Sequence, residues 1–209
     1  MPAPPTLKVI EVFASVQGEG LRQGEPTVFV RLAGCDRRCS FCDTKYAWEG
    51  GREWTLPQIL DKVRRVGQGV PGRWVCLTGG EPFMQDVRGL ISLLKKGGRQ
   101  VQIETNGTRY YPTAAYWISV SPKPKEYFVR PQFKKLAREV KLVVTRDLDL
   151  AVIRRIRAAF PGRIPVILQP ETCRRWSRKR ALRLLKEASA AGLKNVRISV
   201  QLHKIFGLR

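Results

Sequence analysis

The sequence holds one histidine, His203, and no apolar run long enough to read as a helix that crosses a membrane, which takes about 18 residues. The opening MPAPPTLKV lacks the charged-then-apolar order of a signal peptide. Repeats, low-complexity segments and linkers are missing as well, so the 209 residues are expected to form a single domain spanning 1–209. Acidic residues are scarce: 17 Asp and Glu stand against 39 Lys and Arg, a net charge of +22. Residues 130–186 carry 17 Lys and Arg against 4 Asp and Glu. Such a balance suits a nucleic-acid surface, solvated helix faces, or attraction for an anionic substrate or acidic partner. No helix-turn-helix, zinc finger or aromatic RNA-binding motif accompanies it, so nucleic acid is disfavoured as a partner.

What is present is a cysteine loop. Residues 34–44 read GCDRRCSFCDT and place Cys35, Cys39 and Cys42 within eight positions. With Cys76 and Cys173 the total is five, an odd number with three clustered. That pattern points to a reducing cytoplasm rather than a disulfide framework. A closed zinc site wants four ligands, and no fourth lies nearby. Three thiolates on one loop fit an iron–sulfur cluster with one open iron, which can hold a substrate or cofactor. Structural zinc and simple buried thiols are the plainer alternatives.

With 43% hydrophobic residues the chain can bury a real core. Strands are expected at 7–14, 26–32, 73–78, 100–104, 116–120, 139–144, 164–168 and 195–200. Helices are expected after a Thr55 cap, over Leu90–Leu94, after an Asp147 cap, and from near Ser177 to Gly192. Strand and helix alternate, which implies a mainly parallel sheet. The connection at 106–116 is too short for a full helix, and a complete eight-unit barrel needs about 250 residues. The expected fold is α/β, a partial, open (βα)6-type barrel. Polar or glycine clusters recur where strands end (GGEP, ETNGT, SPK, QPET), the place where parallel α/β folds form sites. By themselves SPK and QPET also read as ordinary β–α turns. Arg31 sits alone in the apolar strand PTVFVRL and must find an anion. A structural carboxylate is the default partner and a substrate carboxylate the alternative. Cys76 reads as core packing and His203 as a structural residue.

The CxxxCxxC spacing resembles the radical S-adenosylmethionine (SAM) enzymes. The combination SVQGEG, FVRLAGC, CDT, LTGGEP, IETNGT, SPKP and QLHK resembles one family closely, the 7-carboxy-7-deazaguanine synthases of queuosine and deazapurine biosynthesis, along nearly the whole chain. The resemblance implies a truncated radical SAM core. It implies conversion of 6-carboxy-5,6,7,8-tetrahydropterin to 7-carboxy-7-deazaguanine with loss of ammonia, started by a radical from SAM, which is regenerated. It implies a [4Fe–4S] cluster on Cys35, Cys39 and Cys42, and SAM held by Gly80, by Ser121, Pro122 and Lys123, and by Gln169, Pro170, Glu171 and Thr172. Val16, Gln17, Gly18, Arg31 and Thr78 are implied at the substrate, together with the main-chain carboxylate of Arg209 in a tail, 201–209, that closes the site. Thr44 takes the family's Mg²⁺ position, although a loop or capping hydroxyl is what the residue alone suggests. A homodimer and a flavodoxin- or ferredoxin-like electron donor follow from the same resemblance. Two other readings compete: a glycyl-radical-enzyme activating protein, and a cluster-bearing nucleic-acid-binding module.

Overall fold

The computed structural model describes residues 4–208. Nine strands form one sheet in the order β3-β1-β2-β4-β5-β6-β7-β8-β9. They are β1 (Thr6–Val16), β2 (Pro26–Leu32), β3 (Arg52–Thr55), β4 (Trp74–Gly79), β5 (Gln100–Thr105), β6 (Trp117–Val120), β7 (Glu139–Val144), β8 (Val166–Pro170) and β9 (Val196–Ile198). From β2 to β9 every neighbouring pair is parallel. β1 runs antiparallel to both β2 and β3. The sheet ends in β3 on one side and β9 on the other, so it is open and does not close. Six strands, β2 to β8, make the expected parallel series, and β9 adds a short seventh.

Six helices accompany the sheet: α1 (Leu56–Val66), α2 (Arg88–Lys96), α3 (Phe133–Leu136), α4 (Leu150–Ala159), α5 (Arg175–Ala190) and α6 (Leu202–Ile205). α1 begins where expected. Thr55 Oγ1 accepts from the Gln58 amide and Gln58 Oε1 accepts from the Thr55 amide, a reciprocal cap. The cap expected at Asp147 sits instead at Asp149, whose carboxylate accepts from Val152 N at 2.8 Å. Between them Leu148 is fully buried, which carries the chain inward before the helix can start. α5 starts at Arg175, two residues ahead of the expected Ser177. Ser177 lies inside the first turn, buried, donating to Val144 O and accepting from Glu171 N. β3 was not expected: four residues are too few to show alternation, and only pairing with β1 makes them a strand.

The alternation of side chains along each strand sorts the molecule into two faces. On β5, β6 and β7, Val101, Ile103, Ile118, Val120, Val140 and Leu142 join the hydrophobic core. The intervening positions, Gln102, Glu104, Ser119, Glu139 and Lys141, carry polar groups on the concave face. A polar interior surrounded by an apolar layer is a chamber rather than a packed barrel core. Burying those groups requires that each find a partner. The basic excess, by contrast, lies mostly outside. Arg154 and Arg155 of α4, and Arg175, Arg178, Lys179, Arg183 and Lys186 of α5, are exposed.

Candidate active site

The carboxyl ends of the parallel strands surround a cavity of about 270 Å³. The loop after β2 brings Cys35, Cys39, Cys42 and Thr44 to its wall. The thiols are half-buried. Cys35 Sγ accepts from the Arg37 amide and Cys42 Sγ from the Thr44 amide, each at 3.4 Å. Burial pushes the Cys35 thiol up to about 11 and raises Cys39 as well, so metal coordination must displace a proton from each. Among the described residues no three His, Cys, Asp or Glu side chains converge on a single ion. Three thiols set around one cavity without meeting at a point fit the outer ligands of a cluster better than a mononuclear metal.

Two carboxylates, the partly exposed Asp36 and the buried Glu81, hold this loop in place. Asp36 accepts from Asn106 Nδ2 at 2.9 Å and Thr108 Oγ1 at 2.6 Å. Burial opposes its ionisation, yet these donors keep the carboxyl below its ordinary value. Glu81 of the GGEP turn is fully buried and accepts from Thr105 Oγ1, Asn106 N and Phe83 N at 2.6 to 3.1 Å. Burial still pushes it up to about 7. The cluster loop, the GGEP turn and the ETNGT turn are thereby one hydrogen-bonded unit. Gly79 and Gly80 make that contact possible. Gly79 has φ +135°, and a Cβ on either residue would run into backbone, at Leu32 for Gly79 and at Gly34 and Ala47 for Gly80.

Gly80, Ser121, Lys123, Gln169, Pro170, Glu171 and Thr172 all line the cavity. Pro122 does not; it is buried between its two lining neighbours. Gln169 is 2% exposed, and neither its amide nitrogen nor its amide oxygen has a partner among the described residues. A buried amide with both ends unpaired, facing a cavity, suits a polar ligand that both donates and accepts. Thr172 carries a left-handed backbone, φ +44°, a strain that a non-glycine residue keeps only where its surroundings impose it.

Across the cavity stand Val16, Gln17, Gly18, Arg31 and Thr78. Arg31 has found the structural carboxylate: its Nε donates to Glu11 Oε1 at 2.8 Å, and Tyr46 donates to the same oxygen at 2.9 Å. Thr78 is its register partner on β4. The QLHK segment closes this side. Leu202 N donates to Gly18 O at 2.8 Å, and the His203 ring occupies the space a Gly18 side chain would need. Gln201 Nε2 donates to Glu19 Oε1 at 2.8 Å. Arg209 lies outside the described residues.

The site also contains groups the sequence reading passed over. Glu19, Glu104 and Lys141 line the cavity, with the Lys141 ammonium 2.7 Å from Glu19 and 2.8 Å from Glu104. Burial pushes Glu104 up to about 7, with Lys141 pulling the other way. Burial also opposes the ionisation of Glu19, but Lys141 and Gln201 bring it down to about 2. The signal was available: Lys141 is a lone cation in the apolar run EVKLVV, as Arg31 is in PTVFVRL.

Comparison with known proteins follows the same lines. Residues 29–119 match the Radical SAM superfamily. A 7-carboxy-7-deazaguanine synthase of Aquifex aeolicus is 35% identical over 95% of this chain and 93% of its own length. One from Escherichia coli K12 is 36% identical over 95% of this chain and 97% of its own. The crystal structure of QueE from Escherichia coli superposes with a TM-score of 0.78 at 29% identity, covering 95% of both chains. These matches run along nearly the whole chain and carry the synthase name, which sets aside the glycyl-radical-activating and nucleic-acid readings. The chain is a radical SAM enzyme and belongs to the 7-carboxy-7-deazaguanine synthase family.

Proposed function

We propose that the cavity is the chamber in which 6-carboxy-5,6,7,8-tetrahydropterin becomes 7-carboxy-7-deazaguanine with loss of ammonia, a carbon–nitrogen lyase step of queuosine and deazapurine biosynthesis. One observation carries the reading. Three thiols, the Gly79-Gly80 pair, the unpaired amide of Gln169 and the Gln17–Gly18 turn all face one cavity. Cys35, Cys39 and Cys42 hold a [4Fe–4S] cluster; Gly80, Ser121, Lys123 and residues 169–172 hold SAM, with the buried Pro122 setting the turn between Ser121 and Lys123. When bound, these groups supply the radical chemistry that no side chain offers. The chain itself binds, orients and excludes water. Gly80 lets backbone approach the methionine end of SAM. Arg31 commits its Nε to Glu11, so its terminal nitrogens are the part that meets a substrate carboxylate. Residues 201–208 cover the Gly18 side of the chamber and shut out solvent.

Anaerobic assay of the reconstituted protein with SAM, dithionite and the carboxypterin is expected to yield 7-carboxy-7-deazaguanine by mass. SAM cleavage with the pterin left unconsumed would remove the assignment.

Mg²⁺ belongs to the same reading. The Thr44 hydroxyl lines the cavity and donates to Asp43 Oδ1 at 3.0 Å. A hydroxyl is a weak ligand, so the ion takes its charge balance from the substrate carboxylate and keeps waters. Thr44→Ala is expected to blunt the Mg²⁺ dependence of turnover and raise the pterin KM several-fold, with SAM affinity unchanged. Equal wild-type turnover with and without Mg²⁺ after chelation would take Thr44 out of the metal site. A homodimer, a flavodoxin- or ferredoxin-like donor and a cytoplasmic setting complete the proposal. The exposed Ile205, Phe206 and Leu208 offer apolar surface for a second copy.

A further inference from the structure

Lys141 is 4% exposed and projects from β7 into the chamber. Its ammonium meets Glu104 of β5 at 2.8 Å and Glu19, in the loop after β1, at 2.7 Å. Each carboxylate passes the contact on. Glu104 Oε1 accepts from Gln102 at 2.7 Å and from Gln17 at 3.4 Å. Glu19 Oε1 accepts from Gln201 at 2.8 Å, and the next residue, Leu202, is bonded to Gly18. One cation therefore joins a wall of the chamber, the Gln17–Glu19 turn and the C-terminal segment.

We propose that Lys141 is a positioning residue of the pterin site, pinning the Glu104 carboxylate toward the chamber and, through Glu19, holding the C-terminal segment shut. The inference rests on the chamber being the pterin site. Its physical basis is charge. Glu104 faces Lys141 and Glu139 from β7, Glu19 from the loop after β1, and Cys76 from β4; Arg22 reaches it through Gln102, and His203 stands against Glu19. Two further carboxylates crowd Glu104, and Lys141 is the cation that touches it. Glu104 takes up a proton near pH 7 even so. Without Lys141 it would be neutral throughout the neutral range. A neutral carboxyl has turned one acceptor into a donor and cannot accept from two adjacent N–H groups of an amino-pyrimidine edge.

The test is Lys141→Met in the full-length, cluster-loaded enzyme. In the wild type the KM for 6-carboxy-5,6,7,8-tetrahydropterin is expected to rise as pH falls below about 7, where Glu104 protonates. In Lys141→Met that rise should move to higher pH. At pH 7.5 KM should be more than tenfold higher, with a smaller change in kcat. Iron content and SAM affinity should hold, and amide hydrogen exchange over residues 201–206 should quicken. Removing a buried cation from between two carboxylates is strongly destabilising, so Glu19→Gln provides a second arm. It keeps the Lys141–Glu104 pair but removes one of the carboxylates that crowd Glu104, so exchange over 201–206 should quicken and KM at pH 7.5 rise a few-fold, while the pH at which KM climbs should move down rather than up. Wild-type KM, pH profile and exchange in a folded Lys141→Met would overturn the proposal, as would wild-type exchange and KM in Glu19→Gln. A wild-type enzyme that binds SAM but not the pterin would overturn the reading of the chamber, and this inference with it.

Discussion

Replacing any one of Cys35, Cys39 and Cys42 with alanine is expected to abolish turnover and iron binding together. The three thiols face the same cavity from one loop, and among the described residues no His, Asp or Glu completes a site with them. On the proposed cluster assignment each thiolate would be the sole protein ligand of one iron. Loss of a partner outside the ligand shell already costs a metal site about 10–100-fold, so loss of a ligand should cost well over a hundredfold. Iron per chain and the visible absorbance of the reconstituted protein measure binding; reductive SAM cleavage measures function. Cys76→Ala is the contrast. Cys76 is fully buried in β4 and away from the cavity wall, so it should keep full iron content and lose about 1 kcal/mol of stability. A single-alanine variant at 35, 39 or 42 that keeps wild-type iron and turnover would end the cluster assignment.

The second large effect is expected at Gly80. A Cβ there would overlap the Gly34 carbonyl and come within 2.9 Å of Ala47 O. Both are backbone atoms of the cluster loop, and Gly34 O already accepts from Glu81 N at 2.7 Å. No side-chain rotation relieves the overlap, so the loop carrying the cysteines must shift. Overpacking of this kind costs about 1–3 kcal/mol. In a chain of this length that lowers Tm by roughly 2–12 °C. The functional loss should be larger, because a displacement of about 1 Å at a binding loop can cost a hundredfold. Gly80→Ala should therefore show a moderate fall in Tm by calorimetry and a loss of SAM affinity of at least tenfold by equilibrium dialysis. Gly162→Ala, where nothing lies within 4 Å of the added atom, should match the wild type in both. Unchanged SAM affinity in a folded Gly80→Ala would show that this turn does not approach the cofactor.

The two experiments probe different layers of the same site. The cysteines supply donor atoms, whereas Gly80 supplies room. Glu81 and Asp36 belong to a third layer, since they touch no reacting group and hold the loops that do. That layer explains why the GGEP and ETNGT motifs occur together in one chain. The Glu81 carboxylate is the physical link between them, bonding at once to its own turn and to Thr105 and Asn106.

By itself the sequence determined the alternation of strands and helices, the open parallel series and the cysteine loop, because these are local. Hydrophobic period, caps such as Thr55 and strand-end polar clusters are written within ten or so residues. The family resemblance was legible for the same reason: its motifs are short and sit at strand ends. Tertiary structure decided what the isolated charges do. Arg31 in β2 and Lys141 in β7 look alike in sequence, each a cation in an apolar strand. Arg31 is matched by Glu11, 20 residues away on the neighbouring strand, whereas Lys141 bridges to Glu19, 122 residues away, and to Glu104. The positive excess was equally undecided until folding left Arg154, Arg155, Arg175, Arg178 and Arg183 of α4 and α5 exposed, buried Arg157 and set Lys141 inside the chamber. A buried charge must find its counter-charge wherever the fold brings one, and no local pattern records that distance.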